Sequence, residues 1–436
     1  MNSEVLQGSA LPIALMRLDD LLTQTLSLWR PPEFTSSGIE TAYQHISQCS
    51  ALALIVNQLS LEQLDAIDAE PEQLFAYFGR ALGTLVPDYV AILNDLAALL
   101  VPSTEPIETA SIRFPFWLET GIGGRKLAQI KHFIQATAAH QGDVLEWCAG
   151  KGHLGRLWLY HAHQQGNDQT HMHSLEWQAQ LCQQGAKLAE QLQLAQTFYP
   201  QDALQPIPWT TMHTPDHALA LHACGDLHRS LLRQGVAQGL TSFALAPCCY
   251  HLTADNIYQP FSQQLRATST LRLSKAELKL AVQGQVTGGR RIGILRQQEV
   301  LWRLAYQCLR EESLGAECDS KASYRPLPAL PKVLLSEGFE KFLDWAFTQH
   351  NWRPERAVNS QQWLTHAREL QLKLRRVDVV RHNFRRLLEL WLVLDRAVYL
   401  QEHQYQVEVL SFCPYRVSPR NLLIRAHKLN ISNQQA

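Results

Sequence analysis

The fold of this chain is indicated most clearly by the stretch Val144-Leu-Glu-Trp-Cys-Ala-Gly-Lys-Gly-His-Leu-Gly155. An apolar strand runs into a loop of small residues, and a helical segment follows. Small residues let the backbone approach a nucleotide closely, and a helix start offers unpaired N–H groups. Glu176 comes 24 residues after Gly152, where a βαβ nucleotide fold places the acid that binds ribose hydroxyls. The spacing therefore predicts a site for a nucleotide cofactor.

Two cofactors fit this spacing. Gly150, Gly152 and Gly155 satisfy the G-x-G-x-x-G pattern of NAD-binding folds, although a single match of that kind is weak. Glu146 would face the pyrophosphate of NAD, which is unfavourable, whereas it suits the cationic methionine end of S-adenosylmethionine (SAM). The residues favour SAM, and an NAD-dependent oxidoreductase stays the alternative.

Length and composition are those of a globular protein with two or three domains. The chain has 436 residues, of which 46% are hydrophobic and 18% charged. No apolar run approaches the length of a membrane span, and the first residues lack the pattern of a secretory signal. The nine cysteines form no C-x-x-C pair, which predicts reduced thiols in a cytoplasmic protein.

Charge is distributed unevenly along the chain. Residues 1–100 hold 12 Asp and Glu against three Arg, whereas residues 261–400 hold 23 Lys and Arg against 14 Asp and Glu. A basic segment of this kind indicates either a polyanionic partner or a solvated helical surface.

Hydrophobic periodicity predicts four segments. They are an acidic, wholly helical N-terminal region (1–105), a cofactor-binding core of alternating strands and helices (106–260), a basic helical insertion (261–400) and C-terminal strands that complete the core sheet (401–436). The predicted strands are Asp143–Glu146, His173–Glu176, Gln196–Tyr199, His217–His222, Ser242–Ala246, 406–412 and 422–426. This pattern predicts an α/β fold, with a mainly parallel sheet that ends in an antiparallel hairpin. A class I (Rossmann-like) methyltransferase has such a hairpin, and a dehydrogenase usually does not.

Ligands of such a sheet bind beyond the carboxyl ends of its strands, so the residues that follow the strands are the candidate site. The predicted cofactor-binding residues are Glu146, Cys148, Gly150, Gly152, Glu176, Trp177, Asp202, His222 and Cys224. The acceptor is expected to be oriented or deprotonated by His251 and Tyr250, together with Asp226.

The same loops could support two other chemistries. Cys248 or Cys249 could attack a pyrimidine as a nucleophile, but adjacent cysteines are more often small packing residues. Together with His222, Cys224 and His251 they could bind zinc, but the spacing matches no known zinc finger, so no metal is expected.

Several motifs resemble those of the methyltransferase-like protein twenty-five family of class I SAM-dependent methyltransferases. They are Gly150-Lys-Gly152, His222-Ala-Cys-Gly-Asp-Leu227, Cys248-Cys-Tyr250, Leu394-Asp-Arg with Leu400-Gln-Glu402, and Ser418-Pro-Arg-Asn421. A more distant similarity runs to tRNA 2′-O-methyltransferases, which also pair a His-x-Cys-Gly motif with a Cys-Cys-His motif. One departure is Cys148, which stands where many methyltransferases have the first loop glycine; Glu146 also replaces the commoner Asp.

The resemblance implies direct methyl transfer from SAM, with tRNA or rRNA as the expected acceptor. A ribosomal or other translation-related protein is the alternative acceptor. The candidate acceptor contacts are Lys126, Arg290, Arg291, Ser418, Arg420 and Asn421. An RNA acceptor would dock on the basic segment, which requires Arg381, Arg385 and Arg386 to lie on one accessible face.

Overall fold

The computed structural model describes residues 5–100, 112–137, 142–212, 215–283, 290–314 and 324–429. The chain divides into two compact units. The sheet unit comprises Met1–Thr23, Ala91–Gln283 and Arg385–Ala436, and the helical unit comprises Gln24–Val90 and Gly284–Phe384. Each unit combines distant parts of the chain, so these boundaries differ from those of the four segments expected from the sequence.

An eight-stranded sheet forms the centre of the sheet unit. Its strands are β1 (Val5–Gln7), β2 (Val144–Trp147), β3 (Met172–Glu176), β4 (Gln196–Pro200), β5 (His217–Ala220), β6 (Ser242–Leu245), β7 (Tyr405–Ser411) and β8 (Leu422–Lys428). They lie in the order β1-β7-β8-β6-β5-β2-β3-β4. Strands β2 to β6 pair in parallel, and β8 and β7 continue the sheet in antiparallel fashion. The seven predicted strands are present with ends within two residues, and the predicted class I methyltransferase fold with its C-terminal hairpin is confirmed.

The first strand corrects the expectation that residues 1–100 are helical throughout. Val5–Gln7 pairs antiparallel with β7, with Val5 opposite Leu410. Without β1, strand β7 would leave a row of backbone N–H and C=O groups unpaired at the edge of the sheet. The N-terminal segment satisfies these groups.

Helices make up most of the remaining described chain. They are α1 (Ala10–Gln24), α2 (Leu26–Trp29), α3 (Ser36–Gln48), α4 (Ser50–Gln58), α5 (Leu61–Ala69), α6 (Pro71–Leu85), α7 (Asp88–Asp95), α8 (Ala97–Leu100), α9 (Phe116–Glu119), α10 (Gly124–Thr137), α11 (His153–Gln164), α12 (Ala179–Gln191), α13 (Asp226–Gln238), α14 (Gln263–Thr268), α15 (Lys275–Leu278), α16 (Arg290–Leu314), α17 (Leu334–Glu337), α18 (Phe339–His350), α19 (Ser360–His382) and α20 (Arg385–Glu402). Short 3₁₀ helices cover Trp209–Met212 and Leu280–Val282. No helix in the described ranges combines the length and apolarity needed to cross a membrane.

Each unit has its own hydrophobic core. In the sheet unit, Ile130 and Phe133 of α10 and Leu157 of α11 are buried with the β-strand residues Val144 and Leu219. All side chains of β2, β3, β5 and β6 are buried, as expected of parallel strands covered on both faces. The helical unit packs aromatic and aliphatic side chains from α3, α16, α18 and α19 around Phe342. The polar groups that follow the parallel strands are therefore held by rigid elements.

Candidate active site

The loop between β2 and α11 adopts the left-handed backbone conformation at three positions. The φ angles are +59° at Cys148, +60° at Gly150 and +67° at Gly152. A Cβ atom on Gly152 would lie 2.4 Å from side-chain atoms of Gln196 and Phe198, so this position requires glycine for space as well as for backbone freedom. Cys148 takes the same conformation with a side chain, at a typical cost of about 1–3 kcal/mol.

Glu176 ends β3 beside this loop. Its carboxylate accepts hydrogen bonds from the backbone N–H groups of Gly150 and Gln178, both at 3.0 Å. A Cβ atom on Gly150 would meet nothing within 4 Å, so the loop is open where it contacts Glu176. A carboxylate has lone pairs left for two hydroxyl donors after accepting these two bonds. The arrangement fits the ribose of a nucleoside cofactor.

Glu146 lies beneath the loop. Its buried carboxylate accepts a hydrogen bond of 2.8 Å from Ser174 and one of 3.4 Å from Gln196, and it also faces the backbone N–H of Gly155. Burial raises the pKa of Glu146 to about 7, although these hydrogen bonds and the cations of Lys126 and Arg156 act in the opposite direction. The contacts tie the end of β2 to the start of α11. The predicted role of Glu146 toward the methionine end of SAM stays a prediction.

The remaining predicted cofactor residues follow the ends of β3, β4 and β5. The indole of Trp177 is 70% exposed, which leaves its ring faces available for stacking. Asp202 is exposed after β4 and accepts a hydrogen bond of 2.9 Å from the backbone N–H of Leu204. Burial, and then the charges of Glu176, Cys224 and Asp202, raise the pKa of Cys148 to about 12. The ends of β2, β3, β4 and β5 thus converge on one place.

Three cysteines meet where β5 and β6 end. The Sγ atoms of Cys224 and Cys248 are 3.4 Å apart, and the backbones of these residues form a parallel bridge. The sulfur atoms of Cys224, Cys248 and Cys249 all lie within 4.8 Å of one another. Hydrogen bonds from Cys224 and Cys248 hold the pKa of the Cys249 thiol well below its usual value. Cys249 also takes a left-handed backbone conformation, with φ +48°.

Asp226 fastens the loop after β5 to the loop after β6. It begins α13, and its carboxylate accepts a hydrogen bond of 2.7 Å from the backbone N–H of Ala254. Its own N–H donates to the carbonyl of Leu252 at 3.0 Å. A Cβ atom on neighbouring Gly225 would lie 1.8 Å from that carbonyl oxygen. The structure thus gives the predicted catalytic Asp226 a role in holding the loops.

The three aromatic candidates occupy different environments. Tyr250 is buried, and its hydroxyl donates a hydrogen bond of 3.1 Å to the carbonyl of Pro247. His222 is exposed, with Nε2 3.0 Å from Oε1 of the buried Gln129. His251 is half-buried, and its Nδ1 atom is buried without a hydrogen-bond partner. His222 and His251 thus border the thiol cluster, whereas the hydroxyl of Tyr250 is already bonded.

Two of the predicted acceptor contacts are buried. Asn421 is fully buried, accepts a hydrogen bond of 2.7 Å from Arg386 and donates one of 2.7 Å to the carbonyl of Cys413. Ser418 is also buried and caps the backbone N–H of Arg420 at 3.1 Å. These two residues stabilise the turn between β7 and β8 and are not exposed for an acceptor. The side chains of Arg290 and Arg291 lie outside the described part of the structure.

Lys126 and Arg420 remain as candidate acceptor contacts. Lys126 is exposed at the start of α10. Although the residue as a whole is exposed, desolvation of its ammonium group is the main cause that lowers the pKa of Lys126, and Glu146 opposes this shift. The guanidinium of Arg420 donates to the carbonyl of Val282.

The basic face proposed for RNA docking does not form. Arg381 and Arg386 are buried. Arg381 donates to the carbonyl of Trp29 at 3.2 Å, and Arg386 donates to the carbonyl of Leu99 at 2.8 Å. Arg385 donates to a backbone carbonyl as well. The expectation was wrong because guanidinium groups can satisfy the carbonyls at helix ends, which a charge count does not show.

Ion pairs within the helical unit also neutralise some of the basic residues that the sequence places in residues 261–400. Arg375 of α19 binds Asp65 at 2.6 Å and Asp68 at 2.8 Å. Lys373 of the same helix pairs with Glu40. The acidic N-terminal helices and this basic helix therefore neutralise one another.

Two polar residues of the site were missed by sequence reasoning. The side-chain amide of Gln196 donates to Ser174 at 2.8 Å and to Glu146 and the carbonyl of Gly152 at 3.4 Å. Gln129 positions His222. Both glutamines lie within regular elements, and only their burial distinguishes them from surface glutamines.

A comparison with protein families adds one finding. A family model described as a methyltransferase domain matches residues 125–256. The match identifies a methyltransferase domain. It spans less than a third of the chain and contains the loops after β2, β3, β4, β5 and β6. No curated protein and no solved structure matches the chain, so neither the finer family resemblance nor the similarity to tRNA 2′-O-methyltransferases is confirmed.

Proposed function

We propose that this chain is a SAM-dependent methyltransferase whose acceptor is RNA. The family match supports methyl transfer in general, and the open loop beside Glu176 supports a nucleoside cofactor. The choice of RNA depends on one observation, the positive charge that surrounds the loops after β5 and β6.

The chain's contribution to catalysis is binding and alignment. Bound at this site, SAM would supply an electrophilic methyl group that passes directly to the acceptor, with S-adenosylhomocysteine as the leaving group. Glu176 would accept hydrogen bonds from the ribose hydroxyls, and the exposed indole of Trp177 would cover the adenine. Holding two reacting groups in line replaces a bimolecular encounter and can supply most of the acceleration. No covalent intermediate on the protein is required, so Cys248 and Cys249 need not act as nucleophiles.

Cations lie on the acceptor side of the site. Burial is the largest cause that lowers the pKa of His251. The charge of Cys249 opposes this shift, whereas the charges of Lys279 and Arg420 add to it, which places both cations near this ring. Lys126 acts in the same way on His222. This potential repels a cationic acceptor such as a protein ammonium or guanidinium group, and it attracts phosphodiesters. An RNA acceptor therefore fits better than the side chain of a basic protein.

The test is transfer of a labelled methyl group from SAM to cellular extracts, followed by nuclease or protease digestion. We expect label in RNA. The variants Lys126→Gln and Lys279→Gln should each weaken RNA binding and lower the slope of log affinity against log salt by about one. Lys341→Gln, which removes an exposed charge from α18 of the helical unit, is the matched control. Label that survives nuclease and is lost with protease would assign a protein acceptor and overturn the proposal.

An NAD-dependent oxidoreductase stays the competing hypothesis for the pattern of Gly150, Gly152 and Gly155. Titration with NADH separates it from the methyltransferase, because the two cofactors share only the nucleoside part of the site.

A further inference from the structure

The cysteines after β5 and β6 form a cluster whose geometry suits a metal ion. Cys224, Cys248 and Cys249 place their three sulfur atoms within 4.8 Å of one another, and the sulfur atoms of Cys224 and Cys248 are 3.4 Å apart. In a tetrahedral zinc site with Zn–S distances of about 2.3 Å, sulfur atoms are about 3.8 Å apart. The Cys224–Cys248 separation of 3.4 Å is close to this value, and the 4.8 Å limit on the other two separations also allows it.

His251 is the candidate fourth ligand, but its ring nitrogens do not lie within 4.8 Å of all three sulfur atoms, so its side chain has to move toward the cluster when a metal binds. His251 follows Cys249 by two residues, and the N–H of Leu252 donates to the carbonyl of Cys249 at 2.8 Å to close the turn. The Nδ1 atom of His251 is buried and has no hydrogen-bond partner. A buried polar atom without a partner is costly, and an unseen ion is one of the few explanations for it. Three thiolates and one imidazole are a common ligand set for zinc.

The backbone around the cluster is held firmly. The N–H of Gly225 donates to the carbonyl of Cys248 at 3.0 Å, next to the parallel bridge between Cys224 and Cys248. Asp226 binds the far side of the second loop through Leu252 and Ala254. Ligands on loops that are fixed in this way lose little entropy when a metal binds.

We propose that Cys224, Cys248, Cys249 and Nδ1 of His251 bind one zinc ion. Zinc binds the thiolate forms and any thiol proton still present is released to solvent, so zinc is lost as the pH falls. The ion joins the loops after β5 and β6, and it leaves the remaining proton of His251 on Nε2. His251 can then donate a hydrogen bond to an acceptor but cannot take its proton. This zinc site replaces the expectation that the chain binds no metal.

The test measures metal in the purified full-length chain by mass spectrometry and repeats the measurement after exchange with cobalt. We expect about one zinc per chain and, with cobalt, the intense near-ultraviolet charge-transfer band of thiolate ligands. The variants Cys248→Ser and His251→Ala should lower zinc affinity by at least about tenfold, since losing even an outer-sphere partner has an effect of that size. Cys308→Ser is the matched control, because Cys308 is a buried free cysteine of the helical unit.

The wild-type cobalt spectrum tests the proposal even where a variant fails to fold. Metal-free protein without a thiolate–cobalt band would overturn it. So would a disulfide between Cys224 and Cys248 found by peptide mapping under non-reducing conditions, because their sulfur atoms are also close enough for oxidation after a small shift. Metal content is measured without SAM, so the result does not depend on the proposed methyl transfer.

Discussion

Glu176 offers the sharpest test of the cofactor site. Its buried carboxylate is fixed by the N–H groups of Gly150 and Gln178, and the space around Gly150 is open. Glu176→Gln keeps the size of the side chain but replaces one acceptor oxygen with an NH₂ group. That group cannot accept from the ribose or from the backbone N–H opposite it.

The expected loss follows from the bonds that change. A hydrogen bond to a charged group contributes about 1.5–3 kcal/mol, and 1.4 kcal/mol is a factor of ten in affinity. Glu176→Gln should therefore weaken SAM binding by about 10- to 100-fold. Glu190→Gln removes an exposed carboxylate from α12 and should leave affinity unchanged.

Isothermal titration calorimetry with SAM and, separately, with NADH measures both outcomes. SAM affinity that is equal in the wild type and Glu176→Gln would refute the assignment of the ribose contact. Binding of NADH in place of SAM would refute the methyltransferase reading of the loop and support the dinucleotide alternative.

Three further predictions concern the scaffold and are measured by urea unfolding. Gly225→Ala should destabilise the chain by more than about 2 kcal/mol because its Cβ would meet the carbonyl of Leu252, whereas Gly293→Ala, in open space on α16, should be neutral or stabilising. Asp395→Asn should cost about 3–5 kcal/mol because buried Arg396 loses a nearby countercharge and the new NH₂ group cannot accept from the backbone N–H groups of Phe261 or Ser262; a loss below 1 kcal/mol would contradict this. Burial raises the pKa of Glu146 from 4.5 to about 7, so its protonation stabilises the fold at low pH and that stability is lost as the pH rises through 7. Relative to Glu146→Gln, the wild type should therefore lose up to about 3 kcal/mol between pH 5 and 8, and parallel pH profiles would exclude this effect.

The strands could be predicted because their signals are local. Parallel strands covered on both faces are continuous apolar runs, and β2, β3, β5 and β6 are buried along their whole length. The three-residue strand β1 carries no such signal. Val5 belongs to a strand only because β7 offers it a free edge, and that edge is created some 400 residues later in the chain.

The sequence predicts a site residue only where its spacing from a motif and its residue type are enough to indicate its role. Glu176 was identified by its distance from the loop glycines, and its contact with Gly150 agrees with that placement. Charge was predicted less well, because the sequence does not show whether a cation reaches solvent. In the sequence, nothing distinguishes Arg381 and Arg386 from the exposed cation Lys279. In the structure, both arginines are buried and donate hydrogen bonds to backbone carbonyls.

The Leu394-Asp-Arg motif, one of those that carry the family resemblance, is a buried support for the site. Asp395 accepts hydrogen bonds from the hydroxyl of Tyr258 at 2.5 Å and from the backbone N–H groups of Phe261 and Ser262 at 2.6 and 2.8 Å. Its neighbour Arg396 is buried as well. This motif therefore cannot contact an acceptor.

Arg396 connects this support to both cysteine loops. Its Nε donates to Nε2 of His228 at 2.7 Å, so the ring proton lies on Nδ1, which donates to the carbonyl of Ala223 at 3.0 Å. Ala223 immediately precedes Cys224. The guanidinium of Arg396 also lies 5.1 Å from the ring centre of Tyr250, which follows Cys249. One buried cation thus positions the loops after β5 and β6. The resemblance at this motif therefore concerns the residues that support the thiol cluster. The class of acceptor has to be inferred from the charged residues near the cluster.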